Sequence, residues 1–345
     1  MEKLITIVIP TYNMEKYLDK CLTSLIVLDE YMEQMEVLVV NDGSKDNSSA
    51  IAHQYENKYP QTFRVIDKEN GNYGSCVNRG LKEATGKFIK ILDADDYISN
   101  ENICSFLNKL SQIDSDMVLT PFDKVDEEGC VLHVYNYDLK EDEKYAFSAI
   151  CTKPTILDIG IHGVIFKTEL LKEHQYKQTE GISYTDQEWV SIPMSYMKTV
   201  SFVNTSLTHY LIGREGQTMD TNVMCRNIQQ LMTVVLSLVN NYNDCLSSDK
   251  SIQQYLLHKI YLQLAYIYDW GILRHHFDDK LMKKFDKQLY KYNDKIHKHL
   301  ESFCFGGRHK VYYVHIWRKG GKMRLFYLRA IYGLQLMFMK IRSLK

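Results

Sequence analysis

The chain has 345 residues, of which 45% are hydrophobic and 25% charged, and its formal net charge at pH 7 is −1. This length allows a substantial core and is long for one domain, so we expect a large domain with an appendage. The near-zero charge excludes a global attraction to nucleic acid or to an anionic surface and leaves only local ones.

The cysteines and the hydropathy pattern indicate the cellular compartment. Eight cysteines are scattered along the chain without close pairs or a neighbouring histidine array. This argues against a disulfide framework and a zinc site and favours reduced thiols. The apolar stretch at the amino terminus is too short for a signal peptide. No stretch of the chain reaches the roughly 18 to 20 apolar residues that a membrane span needs. We expect a cytoplasmic protein, either soluble or lying on the inner face of a membrane.

The first third alternates predicted strands and helices. Runs rich in β-branched residues predict buried strands at residues 4–10, 35–44, 64–71 and 87–96. Helical spacing appears at residues 13–28, with Asn13 as N-cap, and at 75–85. This order predicts a mostly parallel α/β sheet covered on both faces, with ligands beyond the carboxyl ends of its strands.

The remaining chain is mixed and then helical. Residues 115–125 and 200–212 are predicted strands, and residues 163–174 a strand that turns into a helix. Wide apolar faces at helical spacing occupy residues 222–242 and 251–273.

Three carboxylates crowd the end of the fourth predicted strand, in the stretch "ILDADDYIS". Because side chains alternate along a strand, Asp93 and Asp95 should share one side of the rim, whereas Asp96 should point away. Ionised carboxylates this close need a compensating charge, which Mg²⁺ or Mn²⁺ supplies while keeping positions open for phosphate. The alternative is a solvated cluster that caps a helix beginning near Ser99.

Four motifs in order resemble glycosyltransferase family 2, the nucleotide-sugar transferases of GT-A fold: "IVIPTYN", "VVNDGSKDNS", "NRGLKEATGKFIKILDADDYI" and "YTDQEW". The resemblance covers roughly residues 4–215. It implies a GT-A domain over residues 1–218, with a nucleotide-binding half to about residue 98 and an acceptor half at about 99–218. A helical, basic region would occupy residues 219–345.

The resemblance also implies the donor site. A nucleotide-sugar, with UDP favoured, would contact Pro10, Thr11, Tyr12, Asp42, Asn78 and Asp93, and Asp95 would bind Mn²⁺ or Mg²⁺ directly. An aspartate can accept the imide N–H of uracil, and a tyrosine ring can cover a base. For Asp42 a turn role, and for Tyr12 core packing, are the alternatives. Many relatives carry arginine where Val77 stands, so diphosphate binding here would depend more on the metal and on Arg79 or Arg214.

Transfer with inversion needs a base for the acceptor hydroxyl, and "YTDQEW" offers Asp186 and Glu188. The spacing of Thr185 and Glu188 predicts a capping box. Asp186 is then the preferred base, as the resemblance also implies, and Glu188 is the second choice. The helix amino terminus should lower the pKa of Asp186. Trp189 is either a wall for the acceptor sugar or a core residue.

Three further groups could lie near this site. Arg214, in the glycine-bearing loop 210–219, could reach the diphosphate when the loop closes, and an ordinary surface arginine is the alternative. His162 and His209 are expected nearby without chemistry of their own.

The end of the chain is basic. No acidic residue follows Glu301, whereas ten lysines and arginines do. The apolar stretch within residues 322–345 is too short to span a bilayer, but this segment could lie in the interface of a membrane. The alternative is an amphipathic helix that packs on the protein itself. The expected acceptor is a glycan or a lipid-linked glycan, and no nucleic-acid partner is expected.

Three functions stay open from the sequence. The first is a metal-dependent inverting glycosyltransferase. The second is a haloacid-dehalogenase-like phosphatase with Asp93 as nucleophile, although that motif normally falls on the first strand, with threonine or valine soon after, and here Tyr97 follows. The third is a relative that binds nucleotide-sugar without turnover. A dehydrogenase is poorly supported because the first strand lacks a Gly-x-Gly-x-x-Gly sequence.

Overall fold

The fold is known from a computed structural model that describes residues 2–214, 221–245, 249–274, 278–306 and 309–343. The strands are Ile5–Thr11 (β1), Met35–Asn41 (β2), Phe63–Asp67 (β3), Phe88–Ile91 (β4), Tyr97–Ile98 (β5), Met117–Leu119 (β6), Phe122–Val125 (β7), Val131–Tyr135 (β8), Lys144–Ala146 (β9), Val164–Lys167 (β10), Thr199–Phe202 (β11), Thr208–Leu211 (β12), Cys304–Phe305 (β13) and Val311–Tyr312 (β14).

The helices between and after these strands vary from single turns to 22 residues. They are Leu18–Thr23 (α1), Asp29–Met32 (α2), Ser48–Lys58 (α3), Asn72–Glu83 (α4), Ile103–Ser111 (α5), Phe147–Ile150 (α6), Pro154–Leu157 (α7), Thr168–Glu173 (α8), Asp186–Trp189 (α9), Thr221–Arg226 (α10), Ile228–Asp244 (α11), Lys250–Tyr268 (α12), Asp279–Tyr292 (α13), Asp294–His299 (α14), Tyr313–Arg318 (α15) and Lys322–Ser343 (α16). Short 3₁₀ turns cover Ile161–Gly163, Pro193–Ser195 and Leu300–Ser302, and a π-helical turn covers Asp269–Leu273.

The main sheet has eight strands in the order β3-β2-β1-β4-β10-β6-β11-β9. Strands β3, β2, β1 and β4 run parallel, and β10 is antiparallel to both of its neighbours. A second sheet has the order β5-β12-β7-β8. The predicted mostly parallel α/β sheet is confirmed.

Helices cover both faces of the parallel strands. On one face, Ile7 and Ile9 belong to a core cluster that includes Leu22 of α1 and Phe106 of α5. On the other face, α4 approaches β1 so closely that a Cβ atom at Gly80 would lie 2.3 Å from Val8 Cγ1. Only glycine permits this approach, which fixes α4 and the loop before it against the sheet.

Two local predictions near the amino terminus are wrong. The predicted helix 13–28 is only α1, Leu18–Thr23, and Asn13 is not its N-cap. Asn13 has a positive φ of 54°, and its side-chain oxygen accepts a hydrogen bond from Lys45 N at 2.8 Å. The backbone N–H of Asn13 donates to Ser44 Oγ at 3.0 Å. Asn13 therefore joins the loop after β1 to the loop after β2.

The chain divides into two compact units. One contains Met1–Gln217 with Leu246–Leu256, and the other contains Thr218–Cys245 with Leu257–Lys345. The eight-stranded and the four-stranded sheet lie in the first unit, and the second unit is mainly helical, with the two-stranded antiparallel sheet β13-β14. Within the residues that the structure describes, none of the helices is both long enough and apolar enough to cross a membrane.

Candidate active site

Four parallel strands end together at one rim of the main sheet. Thr11 pairs with Asn41, and Asn41 with Asp67, so the last residues of β1, β2 and β3 are aligned, and β4 lies beside β1. Each strand is followed by a loop rich in polar residues. The parallel topology therefore brings these loops together, as ligand sites in such sheets require.

The carboxylates after β4 lie in a turn and not on the strand. β4 ends at Ile91, and the amide of Asp96 donates to Asp93 O at 2.9 Å. Strand alternation therefore does not set the directions of Asp93, Asp95 and Asp96. The predicted helix near Ser99 begins only at Ile103, with Asn102 as its N-cap, so the aspartates do not cap it.

Asp96 points into the site, contrary to expectation. It is 1% exposed, and its Oδ1 accepts a hydrogen bond from Leu211 N at 2.9 Å. Its Oδ2 lies 3.0 Å from His162 Nδ1, without hydrogen-bond geometry. Ligand atoms of Asp93, Asp96 and His162 all lie within 4.8 Å of one another. His162, expected to be a bystander, is therefore part of the cluster.

Burial and mutual repulsion shape the electrostatics of this cluster. Burial, with the charges of Asp96 and Asp95, raises the pKa of Asp93 to about 7. Burial also raises the pKa of Asp96, and it lowers the pKa of His162 to about 4. His162 is thus neutral at pH 7, which is the form that ligates metals.

These residues fit a divalent cation. They offer two carboxylates and a neutral imidazole, and Asp96 Oδ2 has no hydrogen-bond partner among the residues that the structure describes. A buried oxygen in this condition is costly unless a cation or a proton satisfies it. Asp95, the predicted direct ligand, forms an ion pair with Arg214, and the two side chains are 10% and 12% exposed. Its role as a ligand stays a prediction.

We expect Asp93→Asn to stabilise the metal-free protein at pH 8. A carboxyl group whose folded-state pKa lies near 7, above its usual 3.8, holds a proton that the unfolded chain has lost. Stability therefore falls as pH rises from about 4 to about 7, and the amide removes that loss. Thermal unfolding in EDTA should show a Tm for Asp93→Asn a few degrees above wild type at pH 8 and little difference at pH 4. Exposed Asp114→Asn should give no gain at pH 8. An unchanged or lower Tm for Asp93→Asn at pH 8 would contradict this account.

Sequence reasoning missed two groups that surround Asp93. Tyr73 donates its hydroxyl to Asp93 Oδ1 at 2.6 Å. Lys90, in the middle of β4, is fully buried and donates to His162 O at 2.6 Å. Burial lowers the pKa of Lys90 to about 8. The charged residue inside the apolar run "FIKIL" was the only signal in the sequence.

The predicted nucleoside pocket lies at the ends of β1 and β2. Asp42 is buried, and its carboxylate accepts hydrogen bonds from Lys68 Nζ at 2.5 Å and from Gly71 N at 2.9 Å. Pro10 and Thr11 are buried at the end of β1, whereas Tyr12 is 46% exposed. Tyr12 is therefore not a core residue, and its ring is accessible to a ligand.

Asn78 and Arg79 have protein partners. Asn78 Nδ2 donates to Gln178 O and to Glu180 Oε1, both at 2.9 Å, and its Oδ1 accepts from Gln178 N at 2.8 Å. Arg79 pairs with Glu83 one turn along α4. Asn78 thus fastens α4 to the segment before α9, and its contact with nucleotide stays a prediction.

The predicted capping box at α9 is wrong. Thr185 Oγ1 donates to Gln178 Oε1 at 2.8 Å, and no side-chain hydrogen bond caps the helix. Glu188 is fully buried and accepts from Thr179 N and Thr179 Oγ1, both at 2.7 Å. Trp189 is a core residue whose ring packs edge-on against Phe166 and Tyr176. Glu188 still has a structural role, which leaves Asp186 as the preferred base.

Asp186 is partly exposed and lies in the electrostatic neighbourhood of the cluster, since its charge acts on His162, Tyr73 and Tyr210. Its pKa is raised and not lowered, because desolvation by the surrounding protein outweighs the hydrogen bonds from Gln187. The four-residue α9 offers too little helix to reverse that. A raised pKa makes this carboxylate a stronger base.

We expect Glu188→Gln to lower the free energy of unfolding by about 1.5 to 3 kcal/mol, because it weakens two hydrogen bonds to a buried charge. Urea unfolding measures this loss. Asp186→Asn, two residues earlier, should not lower the free energy of unfolding. If the two variants lost equal amounts of unfolding free energy, the buried hydrogen bonds of Glu188 would not be a specific source of stability.

The remaining predicted groups lie in the second sheet or next to it. His162 stacks on Tyr210 of β12, with 4.1 Å between ring centroids. His209 Nδ1 lies 3.4 Å from Asp123 Oδ2, on the neighbouring strand β7. Arg214 follows β12 and contacts Asp95. Residues 215–219 of the predicted mobile loop lie outside the described residues.

Comparison with known proteins gives consistent matches. The model of the family described as glycosyl transferase family 2 matches residues 6–174. An uncharacterized glycosyltransferase of Mycoplasma pneumoniae is 38% identical over 121 residues, which are 34% of this chain and 39% of that protein. The poly(ribitol-phosphate) beta-N-acetylglucosaminyltransferase TarS of Staphylococcus aureus is 28% identical over 218 residues, which are 63% of this chain and 37% of TarS. This chain thus matches well under half the length of either relative.

The three-dimensional comparison agrees. The crystal structure of residues 1–349 of S. aureus TarS with UDP-GlcNAc has a TM-score of 0.64 and 20% sequence identity. The superposition covers 84% of this chain and 80% of that chain. At this identity the likeness establishes a shared fold.

Proposed function

Because the chain belongs to glycosyltransferase family 2 and has the GT-A fold, we propose that it transfers a sugar from a UDP-sugar to a hydroxyl of a glycan or lipid-linked acceptor, with inversion. The observation that carries this proposal is the cluster of Asp93, Asp96 and His162 at the rim of the sheet, within the electrostatic reach of Asp186. A cation-binding group beside a carboxylate base is what such a transfer requires.

Two findings on one matched protein, TarS, support the choice of donor. TarS is named as an N-acetylglucosaminyltransferase, and one TarS crystal structure contains UDP-GlcNAc. In this chain the accessible ring of Tyr12 and the buried carboxylate of Asp42 lie at the ends of adjacent strands. We place the nucleoside there and the diphosphate towards Asp93.

The chain's own groups supply binding and proton transfer. Asp93, Asp96 and His162 would hold Mn²⁺ or Mg²⁺, and Asp95 would be a further ligand if it were freed from its ion pair with Arg214. When bound, the cation neutralises the charge that develops on the departing diphosphate. Asp186 accepts the proton of the acceptor hydroxyl, whose oxygen bonds to the sugar C1 as the C1–O bond to UDP breaks. Attack on the face opposite UDP inverts that carbon.

The family assignment argues against the phosphatase that the sequence left open. A screen of UDP-sugars with Mn²⁺ or Mg²⁺, with UDP release as the readout, tests the proposal. One donor should release UDP well above the others, and a suitable acceptor should increase the rate. If the protein binds UDP with metal and no donor or acceptor gives turnover, the proposed transfer is wrong.

A further inference from the structure

The helix α16 is apolar on two opposite sides. Leu328 and Tyr332 are buried, where the helix packs on α15 and on the π-helical turn Asp269–Leu273 of the same unit. Arg329 Nε, on that side, donates to Ile272 O at 2.9 Å. The opposite side carries five exposed side chains, which we call the apolar stripe: Met323 70%, Phe326 69%, Tyr327 58%, Ile331 49% and Leu334 54% exposed.

The apolar stripe is one continuous surface. Tyr327 follows Met323 by four residues and Leu334 follows Tyr327 by seven, spacings that place side chains on one face of a helix. Phe326 and Ile331 lie on either flank of this face. Ala330 and Gly333 between them are also exposed. A helix with apolar residues on all sides is normally buried, and a contiguous apolar patch marks an interaction surface. Docking on α15 therefore accounts for only one face of α16.

The charge around the stripe indicates what covers it. No aspartate or glutamate occurs after Glu301, whereas ten lysines and arginines do. Arg324 is exposed on the flank of the stripe, and Lys319 is exposed just before the helix. A second copy of the chain would bring two such basic segments together, and they would repel. A surface of anionic lipids is complementary in charge and also accepts apolar side chains.

We propose that α16 lies in the interface of an anionic lipid bilayer. The apolar stripe enters the boundary between headgroups and acyl chains, and Lys319 and Arg324 contact the headgroup phosphates. Leu328 and Tyr332 meanwhile keep the helix attached to its own unit. This inference does not depend on the proposed sugar transfer, because it uses no residue of the active site.

Sedimentation with vesicles tests the proposal on the full chain. Wild type should pellet with vesicles of phosphatidylcholine containing about one third phosphatidylglycerol, and much less with phosphatidylcholine alone. Phe326→Glu should weaken binding to anionic vesicles about tenfold or more, since a charge replaces an inserted ring. The matched control is Tyr290→Glu on α13, where Tyr290 is 53% exposed, and this variant should bind like wild type. UDP release should be unchanged in both variants, which separates this test from that of the transfer.

The depth of the helix gives a second readout. Phe326→Trp should be quenched by brominated lipid in anionic vesicles, and Tyr290→Trp should not. Lys319→Glu combined with Arg324→Glu should remove the preference for anionic vesicles. Two outcomes would overturn the proposal: wild type that stays in solution with both kinds of vesicle, or a dimer that Phe326→Glu converts to a monomer while vesicle binding is absent.

Discussion

Asp186→Asn is expected to lower kcat by about two to four orders of magnitude, because the acceptor hydroxyl loses the group that takes its proton. The KM for the donor should change little, since Asp186 is assigned to the acceptor and not to the nucleotide. The rate of the transfer step should therefore fall. It is measured as UDP release at saturating donor and acceptor.

Two controls make this result specific. Asp186→Asn should not lower the free energy of unfolding, so lost activity cannot be a folding defect. In wild type the pH profile should show an acidic limb displaced above the usual aspartate range, because desolvation raises the pKa of Asp186. If Asp186→Asn keeps its activity within tenfold of wild type, Asp186 is not the base.

Removal of the divalent cation is the second large effect. EDTA should lower turnover by about 10² to 10³, the usual loss when an electrostatic partner of a developing charge is removed. Mn²⁺ or Mg²⁺ should restore it in wild type. Asp93→Asn should lose activity by a similar factor, and added metal should not restore it.

The combination of two properties in Asp93→Asn gives this prediction its strength. The same variant should be more stable than wild type in the metal-free state and nearly inactive in the presence of metal. A group that only stabilised the fold could not give both results. Full turnover in EDTA would contradict the assigned role of the cluster.

Much of the fold could be predicted from the sequence, because the signals are local. The strands β1, β2 and β4 are runs rich in β-branched residues, and each run is followed by residues that favour turns. This local pattern is sufficient to predict the strands. The prediction of a helix over residues 13–28 was wrong at its beginning, because Asn13 has a positive φ and joins two loops. That contact crosses 32 residues and leaves no trace in the local pattern.

The active site was only partly predictable. The loops at the rim followed from strand order, and the motif around Asp93 marked the candidate metal site. The direction of Asp96 depended on where β4 ends and on Leu211, which lies 115 residues away. Likewise, Glu188 meets Thr179 and not Thr185 because the segment before α9 folds back on it. Such contacts are set by tertiary packing, which spacing alone does not encode.

The central claim is that Asp93, Asp96 and His162 hold a divalent cation beside the nucleotide diphosphate. An anomalous difference map of crystals soaked with UDP and Mn²⁺ measures this directly. We predict one strong peak between these three side chains and the diphosphate, and its absence in Asp93→Asn. A map with UDP bound and no peak near these residues would contradict the account.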